Sequence, residues 1–473
     1  MGTNETNPVQ KTLLQRWIGW RGVVVLLVLT PLLTPFLIRA WKLRGVPDFP
    51  EPFDTKPILE YRVPDEENAF TEYRKAISLY QQPSETVKEL RGRIIEDGWY
   101  IDNVLIRDFL TENDETLMTW KKGTTRDRAL FLPASEYELD MDLELIQEMR
   151  ELHGTAMLRC LQLEAEGKPQ EAWEWYRAAI RASRHLGTHG GIIERLVGIT
   201  LFSSSVDRLE SWSSHPQIDS ESLKLALEQL QTDWNLTELD SKTLKIGYLT
   251  FQHSLESFIE EFNTEKGLPA FAPNIFNLVG EPELSRRLSR IHVHNLLMFC
   301  DDLRRNRPEV SSTYSVFEDP AGFSLGDHKC DADNYEQAMD RSIVAKMMLP
   351  SFASIIDSTD REIMRYQSLR MALAAQAYFR DHGNFPLDAA DLVPEYLDEI
   401  PDDLYSPTPA PLIYRRDGDG AVVYSRFRNE VDDGGTKVTY REVKDSGDGL
   451  TDYGVRIRHP LGKPLRAPKP FSN

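Results

Sequence analysis

The sequence predicts a mainly α protein: a helical-hairpin body, a small α+β unit at the C-terminus with a helix packed on an antiparallel sheet, and one N-terminal transmembrane helix. Three observations predict it. Residues 22–38 form an apolar run without a charge; apolar residues recur every third or fourth place over 65–349; and two β-branched, aromatic runs flank a glycine-rich turn near 417–420. A chain of 473 residues exceeds one compact core, so two or three domains are expected. Its 41% hydrophobic and 27% charged content is that of a folded chain.

The expected anchor spans residues 17–41. Its core, Gly22 to Ile38, holds seventeen residues without a charge, roughly 25 Å of helix at ~1.5 Å per residue, slightly under a ~30 Å hydrocarbon layer. Trp17, Trp20 and Trp41 flank it as interfacial aromatics, and Arg21, Arg39, Lys42 and Arg44 can reach headgroups. Pro31 and Pro35 would kink it, which membrane helices tolerate. A cleaved signal peptide is the alternative, but Leu37-Ile38-Arg39-Ala40 is a poor cleavage site. Positive charges are nearly balanced on the two sides. A short basic tail before a first apolar segment usually stays cytoplasmic, which puts the body on the extracytoplasmic (periplasmic) side.

After the tail (1–16) and anchor (17–41) comes a linker over 42–64, with Pro47, Pro50, Pro52, Pro57 and Pro64. Fixed φ values and missing amide donors make this stretch extended. The hairpin domain follows over 65–349. Ala69, Tyr73, Ala76, Ile77 and Tyr80 share a helix face, as do Trp173, Tyr176, Ala179, Ile180 and Ser183. Ser84 is the expected N-cap of a helix through Val87, Leu90, Ile94 and Ile95. Longer helices are read at 143–163, 192–212 and 244–262, punctuated by Pro216, Gly267 and Pro282. Hardly any segment here alternates with period two. Gly167, Ala172, Tyr176 and Ala179 look similar to the second helix of a tetratricopeptide repeat, as do residues 68–77, but no 34-residue period links them.

The last domain is expected over 350–460, with a tail at 461–473. A helix from Ile356 to about Phe379 stops at Asp381-His382-Gly383-Asn384-Phe385-Pro386, where glycine allows a left-handed exit and proline blocks resumption. A short helix through Asp388, Ala389 and Leu392 precedes Val393-Pro394-Glu395-Tyr396-Leu397, and Ile413-Tyr414 and Val422-Val423-Tyr424 form a hairpin across the Asp417–Gly420 turn.

Tyr378 to Pro386, Leu392 to Asp403, and Tyr424-Ser425 with Asn429, Asp432, Asp433, Gly434 and Gly435 together resemble, in order and spacing, the head domain of the type II secretion major pseudopilins. The resemblance covers about a fifth of the chain. The family joins that head directly to a processed hydrophobic helix, whereas here the apolar segment lies over 300 residues upstream. The helix before Tyr378 is amphipathic, with Asp357, Asp360, Arg361, Glu362, Arg365 and Arg370, so it suits neither a membrane nor a filament core. The whole chain is similar to uncharacterised bacterial single-pass membrane proteins. The family's loop implies calcium, with Asn429, Asp432 and Asp433 as candidate ligands, and hard oxygen donors in a glycine turn suit that ion. Phe427 and Glu430 stand where the family has glycines, and Arg426 and Arg428 add positive charge, so a plain acidic turn is the alternative. The stretch Asp445 to Asp452 also has calcium-like composition but lacks the alternating ligands of an EF-hand.

The net charge of −20 excludes a phosphate-tracking surface, so no nucleic-acid partner is expected. Three cysteines, Cys160, Cys300 and Cys330, are too few for a disulfide framework, although a Cys300–Cys330 bridge is open to them in an oxidising compartment. His292 and His294 diverge on a helix and cannot share a metal, while His185 and His189 are divided by Gly187. Asp301-Asp302 and Asp140, Asp142 and Glu144 read as charged helix faces. No nucleophile elbow, Walker loop, zinc-protease or dinucleotide motif is present. The expectation is a membrane-anchored, non-catalytic structural or interaction protein of the cell envelope. Its partners would be the lipid bilayer, through 17–41, and other envelope proteins. The alternatives are an accessory component related to type II secretion and an envelope hydrolase.

Overall fold

A computed structural model describes residues 29–30, 32–99, 103–138, 144–265, 276–307, 310–311, 316–317, 323–436, 438 and 452–460. In chain order the helices are α1 (32–43), α2 (Lys56–Leu59), α3 (Ala69–Leu79), α4 (Glu85–Asp97), α5 (Val104–Glu112), α6 (Asp114–Thr124), α7 (Glu144–Ala165), α8 (Pro169–Leu186), α9 (Ile192–Ser213), α10 (Ser220–Trp234), α11 (Asp240–Glu265), α12 (Glu281–Phe299), α13 (Ala332–Arg341), α14 (Ile343–Met348) and α15 (Pro350–His382). The strands are β1 (Val310–Ser311), β2 (Val316–Phe317), β3 (Phe323–Leu325), β4 (His328–Cys330), β5 (Ile413–Asp417), β6 (Gly420–Ser425) and β7 (Tyr453–Ile457). The protein is therefore mainly helical, with a small antiparallel sheet.

Local chemistry sets many of the boundaries. Side chains of Asn68, Ser84, Asp219 and Asp331 accept backbone N–H groups in the first turns of α3, α4, α10 and α13, filling acceptor positions that a helix start leaves empty. Pro169 opens α8, where a missing N–H costs nothing. Gly383 ends α15 with φ +74°, a left-handed exit.

The chain divides into two compact units that interleave along the sequence. One comprises residues 53–253, 295–309 and 351–473; the other comprises 1–52, 254–294 and 310–350. In the larger unit, α7 packs on α8, α8 on α9 and α10, and α3 on α6, the expected helical hairpins. Gly198 permits the α8–α9 approach, since a Cβ there would lie 2.5 Å from the Ser183 carbonyl oxygen. Ala172, Tyr176 and Ala179 are all fully buried on α8. The sheet runs β5-β6-β7, antiparallel, with Ile413 opposite Tyr424, Asp417 opposite Gly420 and Ser425 opposite Tyr453. Its last strand meets both α9 and α15: β7 packs on α9, and the Arg365 guanidinium lies 5.7 Å from the Tyr453 ring.

The helix read as amphipathic is α15, but its charged residues are not all solvated. Asp360, Glu362 and Arg365 are buried, each held by an opposite charge from another element. Pairing lets charge enter an interior that would exclude it singly.

The smaller unit is built on α12, α13 and α14. Leu284, Leu288, Ile291, Tyr335, Met339 and Val344 are buried in it. The proline-rich chain after α1 is packed here: Val46 and Phe49 are buried, and Phe49 lies 5.9 Å from His328. Lys42 pairs with the fully buried Glu281, which also accepts from Ser342 Oγ and the Val344 backbone N–H. Two short hairpins, β1-β2 and β3-β4, interrupt the stretch expected to be helical throughout. Strands of two or three residues are too short to leave an alternating signature.

Among the described residues no helix is long and apolar enough to cross a membrane. The expected anchor at 17–41 and the tail at 1–16 fall largely on residues 1–28 and 31, outside the described residues, as do the tail 461–473 and the Asp445–Thr451 stretch.

Candidate binding cavity

The larger unit holds a cavity of about 490 Å³. Its floor is one face of α15, from Thr359 and Asp360 through Ile363, Met364 and Gln367 to Arg370. Three loops wall it: 234–240 between α10 and α11, 300–307 after α12, and 399–404. Arg184 and Arg195 reach it from α8 and α9. This size falls within the ~300–1,000 Å³ of small-molecule sites.

At its base lies a buried ionic cluster. Glu362 sits between two arginines, with Oε1 2.8 Å from Arg184 Nη1 and Oε2 2.5 Å from Arg195 Nη2. Arg195 Nη2 also donates to Thr359 Oγ1 at 3.2 Å, and that hydroxyl donates to Asp240 Oδ1 at 2.9 Å. Burial alone would raise the Glu362 pKa, but the two guanidiniums hold it below the usual carboxyl value. Asp240 is pushed up to about 6 by burial, against the pull of Arg195. Burial lowers Arg184 to about 10, which leaves it charged at neutral pH. Trp234 is sandwiched: the Arg184 guanidinium lies 4.0 Å over its ring and Tyr366 stacks at 3.9 Å on it. Arg184 Nε, Arg195 Nη1 and Glu362 Oε1 each lack a well-aligned hydrogen-bond partner, so the cluster is held by charge more than by hydrogen-bond geometry.

A second cluster stands at the Asp360 end. Arg307 Nη1 binds both carboxylate oxygens of Asp360, at 2.9 and 2.8 Å, and Arg304 Nη1 approaches at 3.2 Å. Arg307 also donates to the carbonyl oxygens of Asp302 and Cys300. The Cys300 thiol lines the cavity, and burial with the neighbouring Asp301 pushes its pKa well above the ordinary range, which disfavours the thiolate. No histidine lines the cavity among the described residues. The arrangement can bind charge, and its lining includes one hydroxyl–carboxylate contact, Thr359 Oγ1 on Asp240 Oδ1.

The segment Ile400-Pro401-Asp402-Asp403 is fixed to the sheet through Asp403, which accepts from Ser425 Oγ at 2.6 Å, the Arg426 N–H at 3.0 Å and the Tyr405 N–H at 3.0 Å. This places 399–404 as a wall of the cavity.

The candidate calcium residues Asn429, Asp432 and Asp433 come together in one loop. Their polar atoms serve the loop itself. Asn429 Nδ2 donates to Asp433 Oδ2 at 2.7 Å, while Asp432 Oδ1 accepts from the Tyr424 hydroxyl at 2.8 Å and the Gly434 N–H at 2.9 Å. Asp452, from the start of β7, accepts the Gly435 N–H at 2.8 Å. Gly434 and Gly435 have φ of +82° and +64°, and a Cβ on Gly435 would meet the Tyr424 ring at 2.6 Å. Among the described residues no group of three or more His, Cys, Asp or Glu side chains is arranged to hold a metal.

The remaining sequence candidates separate. His185 Nδ1 pairs with the Tyr73 hydroxyl at 2.6 Å, whereas His189 stacks on Tyr61 at 3.6 Å. His292 is buried against the Tyr335 hydroxyl at 2.9 Å, and burial lowers its pKa to about 4. Asp301 joins the cavity wall, while Asp140 and Asp142 lie outside the described residues. Cys160, Cys300 and Cys330 are buried free thiols. The sequence reading passed over Arg184, Arg195, Trp234, Glu362 and Arg370 as site residues. The one signal was charge on otherwise apolar helix faces, such as Arg184 four residues after Ile180.

No protein-family model matches the chain, and no match was found among curated proteins or solved structures.

Proposed function

We propose that this chain is a single-pass membrane protein of the cell envelope, anchored through residues 17–41, whose helical body binds partners and does no covalent chemistry. One observation carries the anchor. Leu29, Leu32, Leu33, Phe36 and Leu37 are 45, 60, 53, 62 and 69% exposed on neighbouring helical positions, an apolar surface that water disfavours and lipid accepts. Trp41 beside them is 56% exposed, as an interfacial aromatic would be. The helix end is tied to the smaller unit through Lys42 and Glu281, so a membrane-held helix would hold that unit firmly. Carbonate washing and a detergent step test the anchor. The full chain should stay in the membrane pellet after carbonate and leave it in detergent, and recovery of the intact chain in the soluble fraction without detergent would end the proposal.

The reading as a binding protein draws on the cavity, whose lining carries buried ion pairs around Glu362 and Asp360. A second reading, an accessory component related to type II secretion, is supported by the order of α15, the antiparallel β5-β6-β7 sheet and the acidic glycine loop. Deleting 356–435 should then impair secretion, and unchanged secretion removes that reading.

A further inference from the structure

We propose that the smaller unit rests on the bilayer surface through a second contact beside the anchor, made by Leu278, Ile343 and Met347. The inference depends on the anchor proposed above. Exposed apolar side chains are not spread over this unit. Among its described residues, every large apolar side chain that is exposed lies either within residues 29–41 or at one of these three positions. Two of the three are held beside the end of α1 by their chain neighbours. Arg39 Nη1 donates to the Asn277 carbonyl oxygen at 3.3 Å, and a Cβ on Gly280 would lie 2.9 Å from Arg39 Cγ. Leu278 thus stands between two residues that touch the anchor. Glu281, which pairs with Lys42, accepts from Ser342 Oγ at 2.8 Å and from the Val344 N–H at 3.0 Å. Ile343 thus stands between two residues bound to one carboxylate. Consecutive Cα atoms are only ~3.8 Å apart, so both side chains start close to Arg39 and Lys42. Met347 follows one turn later on the same face of α14, whereas Val344 and Ala345 are buried. Arg341, at the end of α13, donates to the carbonyl oxygens of Trp41 and Arg44 and closes the same junction.

Arg39 and Lys42 follow directly on the uncharged run that ends at Ile38, so their level is the boundary between acyl chains and headgroups. Apolar side chains placed there enter that boundary to a depth of ~5–10 Å, as those of interfacial helices do. The approach carries no ionic penalty at Leu278, since Phe276 to Gly280 hold no charged residue. Charge does not drive the contact either. Lys346, on the Ile343 face of α14, pairs with Asp340 at 2.8 Å, and Arg39 and Arg341 bond carbonyl oxygens. A protein partner fits less well, because three partly exposed side chains offer far less than the ~800 Å² per side that a stable protein interface buries. A second contact of this kind sets the tilt of α1 and of the unit tied to it.

The test is fluorescence quenching on the full chain in phosphatidylcholine vesicles. Leu278→Cys, Ile343→Cys and Met347→Cys each carry an environment-sensitive fluorophore, with Leu37→Cys as the anchor control and Asp48→Cys as the water control. All these positions are exposed, and circular dichroism checks that the variants fold. The unsubstituted chain, whose thiols are buried, gives the labelling blank. The quenchers are a nitroxide high on the lipid acyl chain and iodide in the water. At the three positions, lipid quenching should be about threefold stronger than at Asp48→Cys, and iodide quenching about threefold weaker. Lipid quenching at Leu37→Cys but at none or only one of the three positions overturns the inference and leaves the anchor standing. No lipid quenching at Leu37→Cys removes the anchor and the inference together. Shielding from iodide that weakens as the protein is diluted with lipid identifies a second copy as the occupant and also overturns the proposal.

Discussion

Replacing Glu362 with glutamine should cost the larger unit about 3–5 kcal/mol, the range seen when one partner of a buried ion pair is removed. The structure explains why the cost lies there and not with surface pairs. Glu362 is buried, and its two oxygens face two buried guanidiniums at 2.8 and 2.5 Å. Glutamine keeps the shape but leaves Arg184 and Arg195 with one full countercharge fewer, and Asp240 reaches Arg195 Nε only at 3.7 Å. Urea unfolding followed by tryptophan fluorescence is the assay, with Trp234 stacked on Arg184 as a nearby reporter. At an m-value of about 3 kcal/mol/M the midpoint should fall by about 1 M or more. The pH dependence is a second arm. Because the folded carboxyl titrates below its ordinary 4.5, its contribution is complete above that pH and fades as pH falls through the folded value. The gap between wild type and variant should therefore be full at pH 7 and shrink below pH 4.5. Adding Arg195→Met should recover at least about 1 kcal/mol of the loss, because the surplus cation then disappears. A drop under 1 kcal/mol at pH 7, or a gap that does not change between pH 7 and pH 3, would refute the account.

Two further predictions follow from buried carboxylates. Glu194 is buried, its Oε1 lacks a partner, and burial raises its pKa to about 7. The folded state therefore holds a proton that the unfolded chain has released, and stability falls as pH rises from about 4.5 to 7. Glu194→Gln should stabilise the protein by up to about 3 kcal/mol at pH 8 and do little at pH 4.5, which melting temperatures at the two pH values will show. Asp233 is fully buried between α10 and α8, holding Arg177 Nε at 2.6 Å and Arg181 Nη1 at 2.5 Å. Asp233→Asn should cost about 3–5 kcal/mol in urea unfolding, whereas Asp127→Asn, removing an 85% exposed partner of the same Arg181, should cost under about 1 kcal/mol.

What could be read from the chain alone was local. The capping of α4 by Ser84, the stop of α15 at Gly383 and the β5–β6 hairpin across Gly418 and Asp419 follow from residues within a few positions of one another. The helical hairpins at α7 and α8 also follow, because a repeat of three to four residues survives in any packed helix. The short strands near 310–330 and the burial of Glu362 and Arg365 escaped, since a two-residue strand has no period and a charged residue reads as solvated until its partner is known. Tertiary structure alone decided the rest. Arg184 and Glu362 stand 178 positions apart in sequence yet 2.8 Å apart in space, and the cavity exists only where loops 234–240, 300–307 and 399–404 close over one helix. Sequence periodicity records which face of a helix is buried; which distant residues meet there depends on helix crossing and loop closure, to which no local pattern is sensitive.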